Sequence, residues 1–429
     1  MIHDIHCEFK LDAKKTVKVT TDNASNMVKA FSMFSQNNQT IDLDNNDNDD
    51  SDDDFVIQGI TETTEGIAGD SGSISEIFLP VHQRCVSHTL NLLATVDIKA
   101  ALTGSVFGNS GGSYTRSHHS AFGKCSAIWN LTSRSPKAAE TYVAITGKAS
   151  SSPCVTRWNS TFDCLNDLIT VKQFLGSVCD ALELPKFKDT DLEFLAEYIE
   201  CVKPIAKALD RLQGEKNCFY GELLSDLLQT QKKLQKLQLR HLKYCAKLVV
   251  MLLEGLNKRF SNYFDFSYQV NDAILAAVSH PFFKLRWVPK ERKNDVKELL
   301  VNETESLLTH MSKTRNDSMN VSEATHSESF FTFEGGFSDE SVANTSIKNT
   351  IELQCLQYLQ NEDTRLDSLN AFPTIKEVFI KYNTALPSSA PVERLFSYGG
   401  MIMQPNRRSM YDDTFEKQLL LKLNSVLIK

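Results

Sequence analysis

Thr16 to Thr21 reads Thr-Val-Lys-Val-Thr-Thr. This alternates with period two and is rich in β-branched residues, which predicts a strand. Asp22-Asn23 ends it, and Met27, Ala30, Phe31 and Phe34 then recur at helical spacing. Residues 36–76 carry Asn, Asp, Thr and Gly in place of an apolar pattern. They bury too little apolar surface to offset the entropy of ordering, so disorder is expected. The apolar pattern resumes at Ile77-Phe78-Leu79, and a helix is predicted to carry Cys85 to Ala94. Thr103 to Phe122 reads as a Gly/Ser-rich loop.

From Phe162 to Leu308 the spacing is helical throughout. Leu192, Leu195 and Ile199 form one stripe, Leu223, Leu227 and Leu234 a second, and Leu248, Leu252 and Leu256 a third. Ser312 to Ser346 is Ser/Thr/Asn/Glu-rich and reads as a linker, and a final helical unit follows. The predicted organisation is therefore an α/β piece at 1–165 with loops at 36–76 and 103–122, a helical block at 166–310, a disordered linker at 311–348, and a last unit at 349–429. The fold class is α/β plus α.

Composition narrows the class. With 41% hydrophobic and 9% aromatic residues, the 429-residue chain has enough apolar content for a packed core of two or three domains. No apolar run approaches the roughly 18 residues of a membrane span. The start, Met1-Ile2-His3-Asp4, lacks the basic and apolar regions of a signal peptide. The 10 cysteines are scattered, which suits reduced thiols in an intracellular protein. The net charge of -8 comes from one tract, Asp42 to Asp54. Without its eight aspartates, the 54 acidic residues fall to 46, equal to the 46 basic ones. Local patches, not global charge, must therefore decide any nucleic-acid binding.

Four segments carry candidate chemistry. In Thr20-Thr21-Asp22-Asn23-Ala24-Ser25, a carboxylate at a strand end is placed to help hold Mg²⁺ for phosphoryl transfer, or simply to cap the next helix. In Arg84-Cys85-Val86-Ser87-His88, Cys and His are spaced as half a zinc site, or share a helix face that packs Leu90 and Leu93 inward. In Cys154-Val155-Thr156-Arg157-Trp158-Asn159-Ser160, Arg157 offers a phosphate contact and Trp158 a stacking plane, or the pair is a buried structural motif. In Pro391-Val392-Glu393-Arg394, Pro suits a first helical turn and Glu393 complements the helix dipole. The residues that follow are expected to bury Leu395 and Phe396. Phe415, Leu419 and Leu423 make a stripe suited to a partner or to the core.

The run Pro387-Ser388-Ser389-Ala390-Pro391-Val392-Glu393-Arg394-Leu395-Phe396-Ser397, followed by Tyr398-Gly399-Gly400, Arg407-Arg408 and the tail Phe415 to Asn424, resembles the C-terminal dimerisation region of hAT-family transposases. The order of segments is similar too: in that family, an RNase H-like domain is interrupted by a large helical insertion. The resemblance implies that Asp22 matches the second catalytic Asp and Glu393 the third metal-binding carboxylate. It implies that Cys85 and His88 belong to the surroundings of the active site. It places Trp158, beside Arg157, where the family stacks a flipped base. It gives Leu395, Phe396, Leu419 and Leu423 to a dimer interface.

The family's first catalytic Asp lies on an earlier strand. Residues 1–21 offer only Asp4 and Asp12, on a helix remnant and a turn, and no BED-type zinc finger. A partial RNase H-like fold with an incomplete Mg²⁺ site is therefore expected, with no cofactor bound and strand transfer lost. The remaining expectation is protein dimerisation with itself or a related hAT protein, weak binding of DNA, no membrane, and residence in the nucleus. The alternatives are a fragment of an active metal-dependent DNA transposase, and a partly folded remnant.

Overall fold

A computed structural model describes residues 16–34, 81–98, 112–154, 158–214, 218–316, 339–404 and 409–424, with 8 and 10 besides. The proposed disorder at 36–76 and the apolar triplet at 77–79 lie outside these residues. The chain is mostly helical, and its described strands form one small parallel sheet. Among the described residues no helix is long and apolar enough to cross a membrane.

Strand β1 (Val19–Thr21) pairs in parallel with β2 (His82–Arg84), Thr20 opposite Gln83. Only the last three residues of the predicted Thr16–Thr21 strand are paired, because β2 is equally short. The ladder continues at both ends, Val19 N–H donating to Val81 O and Cys85 N–H to Thr21 O. Helix α1 (Ser25–Phe34) covers the sheet, its buried Phe31 stacked on His82 with ring centroids 4.4 Å apart. Helix α2 (Val86–Leu92) follows β2 directly and widens into a π-helical turn at Leu93–Asp97. Cys85 is its N-cap, one residue outside the helix predicted to contain it.

Residues 112–122 are helical, which corrects that part of the loop expected at 103–122; residues 103–111 lie outside the described residues. Helix α3 spans Gly112–Arg134. Tyr114, Ala121, Cys125, Ile128 and Trp129 are buried along one stripe, and helical periodicity there outweighs the Gly/Ser composition. Next come α4 (Pro136–Thr146), α5 (Trp158–Thr170), α6 (Leu175–Ala181), α7 (Asp189–Leu212), α8 (Glu222–Gln238), α9 (Ala246–Arg259) and α10 (Asn271–Ser279). Of the predicted stripes, Leu195, Ile199, Leu223, Leu227, Leu234, Leu248, Leu252 and Leu256 are buried, and Leu192 is half-buried.

Helices enter both ends of the linker proposed at 311–348, whose residues 317–338 lie outside the described residues. Helix α11 (Lys293–Asn316) runs into it, and α12 (Asp339–Gln360) begins within it. Helices α13 (Pro373–Asn383), α14 (Ala390–Ile402) and α15 (Asp412–Leu423) complete the chain.

One hydrophobic cluster extends from Val86 to Tyr382. The boundary drawn between 165 and 166 falls inside α5, and the first and second predicted pieces share this core. Arg259 clasps Asp97 with two hydrogen bonds of 2.7 and 2.9 Å, and Gly255 lets α9 pack against Leu93; a Cβ there would meet Leu93 Cδ1 at 2.5 Å. Helices α12 and α13 belong to the same body. Tyr358 donates its hydroxyl to Ser279 O at 2.6 Å. Asn383 Oδ1 accepts from Gly221 N–H at 2.9 Å, and its Nδ2 donates to Ala276 O at 3.0 Å. Past Asn383, α14 and α15 pack on each other, with Gly399 against Phe415.

Candidate functional site

The two-stranded sheet and the start of α14 meet at one place. Thr20 Oγ1 donates to Leu386 O at 2.7 Å, and Val86 N–H donates to Pro387 O at 3.0 Å. Cys85 is the hub. Its Sγ accepts the backbone N–H groups of His88 (3.4 Å) and Ser389 (3.3 Å) and lies 3.6 Å from Ser388 Oγ. The thiol thus caps α2 and holds the residue that leads into α14. Ser389 then donates its hydroxyl to Glu393 Oε1 at 2.9 Å. Cys85 and His88 diverge in role, one a buried cap and the other on a cleft wall.

Asp22 follows the last residue of β1, at the sheet's C-terminal edge. It is exposed, and its Oδ1 accepts Ala24 N–H at 3.3 Å, which makes it a turn-forming cap of α1. Asn23 donates from Nδ2 to Thr89 Oγ1 at 3.1 Å and ties this turn to α2. His82 bridges to Thr21 Oγ1 at 2.8 Å. Burial, reinforced by Arg84, pushes its imidazole down to about 4, so it is neutral.

Beside this hub lies a cleft of about 310 Å³ with four walls. Helix α2 contributes Ser87, His88 and Asn91, α5 contributes Asn159 and Asp163, α7 and its C-terminal end contribute Leu209, Asp210 and Gln213, and α14 contributes Ala390, Glu393 and Arg394. Asn159 donates from Nδ2 to Asp210 Oδ1 at 2.5 Å and to Ala206 O at 3.1 Å. Arg394 donates from Nη1 to Gln213 O at 2.9 Å. Partial desolvation of an otherwise exposed side chain, and then repulsion from Asp210, raise the Asp163 carboxyl above its ordinary range.

Of the residues singled out in the sequence, His88 and Glu393 thus face one cleft, while Asp22 is engaged in its own turn. Arg157 lies outside the described residues. Trp158 is the first residue of α5, and its side chain also lies outside them. Ser87, Asn159, Asp163 and Asp210 were not picked out in the sequence. The only local signal for the α5 pair was Asn159 and Asp163 at i, i+4 on a helix whose other faces carry Phe162, Leu165 and Leu168.

Two magnesium ions need oxygen ligands that converge to about 2.0–2.1 Å from each metal. Among the described residues no three His, Cys, Asp or Glu side chains are placed to hold one ion. Asp22 is not among the residues that line the cleft faced by Glu393.

The C-terminal hairpin differs from expectation in a telling way. Phe396, expected to be buried, is 72% exposed, and Leu395 is only half-buried. On α15 no residue is fully buried. Leu419 is half-buried, and Leu420, Leu421 and Leu423 are exposed. Val392, Met401, Met403 and Tyr411 add to this exposed apolar surface.

No model of a known protein family matches the chain, and no curated protein sequence matches it.

Proposed function

We propose that this chain is a transposon-derived, nuclear protein of hAT type whose present activity is self-association through α14 and α15, with weak binding of nucleic acid and no strand transfer. The observation that carries this reading is the apolar surface left uncovered on the hairpin: Phe396, Tyr411, Leu420, Leu421 and Leu423 together. Single exposed apolar residues are ordinary, but a helix with no fully buried position, packed against one that exposes Phe396, is suited to an interface. The parallel β1–α1–β2 connection is of the kind an α/β domain requires and supports a partial RNase H-like unit as its origin.

Analytical ultracentrifugation of the full chain at tens of micromolar tests this reading. A dimer is expected for the parent chain and a monomer for Phe396→Asp. Because Phe396 is mostly in solvent, the substitution leaves the fold of one protomer intact, as circular dichroism can verify. A parent chain that stays monomeric across this range defeats the assignment.

A further inference from the structure

We propose that the cleft between α2, α5, α7 and α14 binds a primary ammonium group, carried by a free alkyl diamine or by a lysine side chain of a peptide.

Two buried atoms able to accept, Ser87 Oγ and Asn159 Oδ1, make no hydrogen bond in its walls. Ser87 is 3% exposed, lines the cleft, and its Oγ makes no hydrogen bond. Asn159 Oδ1 is also buried without a donor. The orientation of that amide is fixed, because its Nδ2 already serves two acceptors, Asp210 Oδ1 and Ala206 O. Buried polar atoms in native proteins are nearly always satisfied, and Asn159 Oδ1 can only accept, so a ligand that completes its bonding must bring an N–H or O–H donor.

Charge selects among donors. Asp163, Asp210 and Glu393 line the cleft against Arg394, whose Nη1 is directed at Gln213 O. Lys207 pairs with the outer oxygen of Asp210 at 3.0 Å, but it does so in solvent. Partial desolvation of this otherwise exposed side chain, and then the neighbouring Asp210, hold the Asp163 carboxyl above its ordinary range. A cation placed between these carboxylates relieves both effects.

Size and spread then separate an ammonium from a metal ion. Metal ligands must close to about 2.0–2.6 Å of one point. Here the carboxylates stand on three different helices and form no such group among the described residues. An ammonium has three N–H directions on an alkyl stem, and Leu209 and Ala390 offer apolar surface for that stem. The volume of about 310 Å³ lies at the small end of ligand sites.

Calorimetric titration of the full chain with cadaverine, with the N-terminally acetylated peptide Gly-Lys-Gly, and with the same peptide acetylated on its lysine as well decides the matter. Saturable binding of cadaverine, of the peptide with its lysine free, or of both is expected, and the pattern tells a free amine from a protein lysine. Asp163→Asn should weaken it about tenfold and Ser87→Ala about threefold. If Asp163→Asn does not fold, as judged by circular dichroism, Asp210→Asn takes its place. Absence of binding at millimolar probe overturns the proposal. So does equal binding of the lysine-acetylated peptide, or binding that the folded variants leave unchanged, or competitive displacement by Mg²⁺ at stoichiometric concentration.

Discussion

Cys85 Sγ accepts the backbone N–H of Ser389 at 3.3 Å, across 304 positions of sequence. The same sulfur accepts His88 N–H, so one thiol ends a sheet strand, starts α2 and anchors α14. Cys85→Ala strands two donors in a buried site. A stability loss of about 2–4 kcal/mol is expected, as the sum of lost hydrogen bonds and a small cavity. Cys85→Ser keeps an acceptor and should lose less than half of that. Equal losses in urea unfolding would mean that the sulfur contributes only volume.

Gly221 is held by backbone. A Cβ there would lie 2.4 Å from Ala276 O and 2.8 Å from Asn383 Oδ1. Gly221→Ala should therefore cost about 3 kcal/mol, since a main-chain carbonyl cannot swing away as a side chain can. Gly400→Ala in α14 meets nothing within 4 Å. It should be neutral or gain up to about 1 kcal/mol from helix propensity. The two midpoints, measured side by side, check the contrast.

Burial pushes the imidazoles of His82, His118 and His280 down to about 4, from an ordinary 6.5. The unfolded chain therefore takes up these protons first as the pH falls. Stability is whole above pH 6.5 and declines between 6.5 and 4, by at most about 1.4 kcal/mol per pH unit for each histidine. Urea midpoints at pH 7 and 5 should show the decline, and His118→Gln should soften it. A flat profile would mean that these rings are protonated in the fold.

Asp163 has the opposite sign. Its carboxyl is raised in the fold, so ionising it at neutral pH works against folding. Asp163→Asn is expected to raise stability at pH 7. The gain should vanish at a pH low enough to protonate the parent side chain, as thermal unfolding at the two pH values can test. The same substitution is expected to weaken amine binding about tenfold, the usual trade between a poised site and a stable one.

How much of this was legible beforehand depended on distance along the chain. The leucine stripes of α7, α8 and α9 were plain, because i, i+3, i+4 spacing is a local property. Helix α3 was missed because Gly112, Ser113, Ser117 and Ser120 lower its mean hydropathy, although Tyr114, Ala121 and Cys125 keep the period. The junction of Cys85 with Ser389 joins segments 304 positions apart, which no local pattern relates. The cleft itself is assembled from four helices, and no single stretch of sequence contains its pattern. The exposure of Phe396 contradicts the expectation of burial because a short apolar run does not state which of its neighbours will cover it.

Asn383 fills a notch between α8 and α10, satisfying Gly221 N–H and Ala276 O at once. Both of those groups are made more than a hundred residues earlier on the ribosome. A chain made only as far as residue 382 lacks the side chain that accepts Gly221 N–H and donates to Ala276 O. Final packing of this body is thus a late event in synthesis, and nascent chains stalled before that point are natural clients for chaperones.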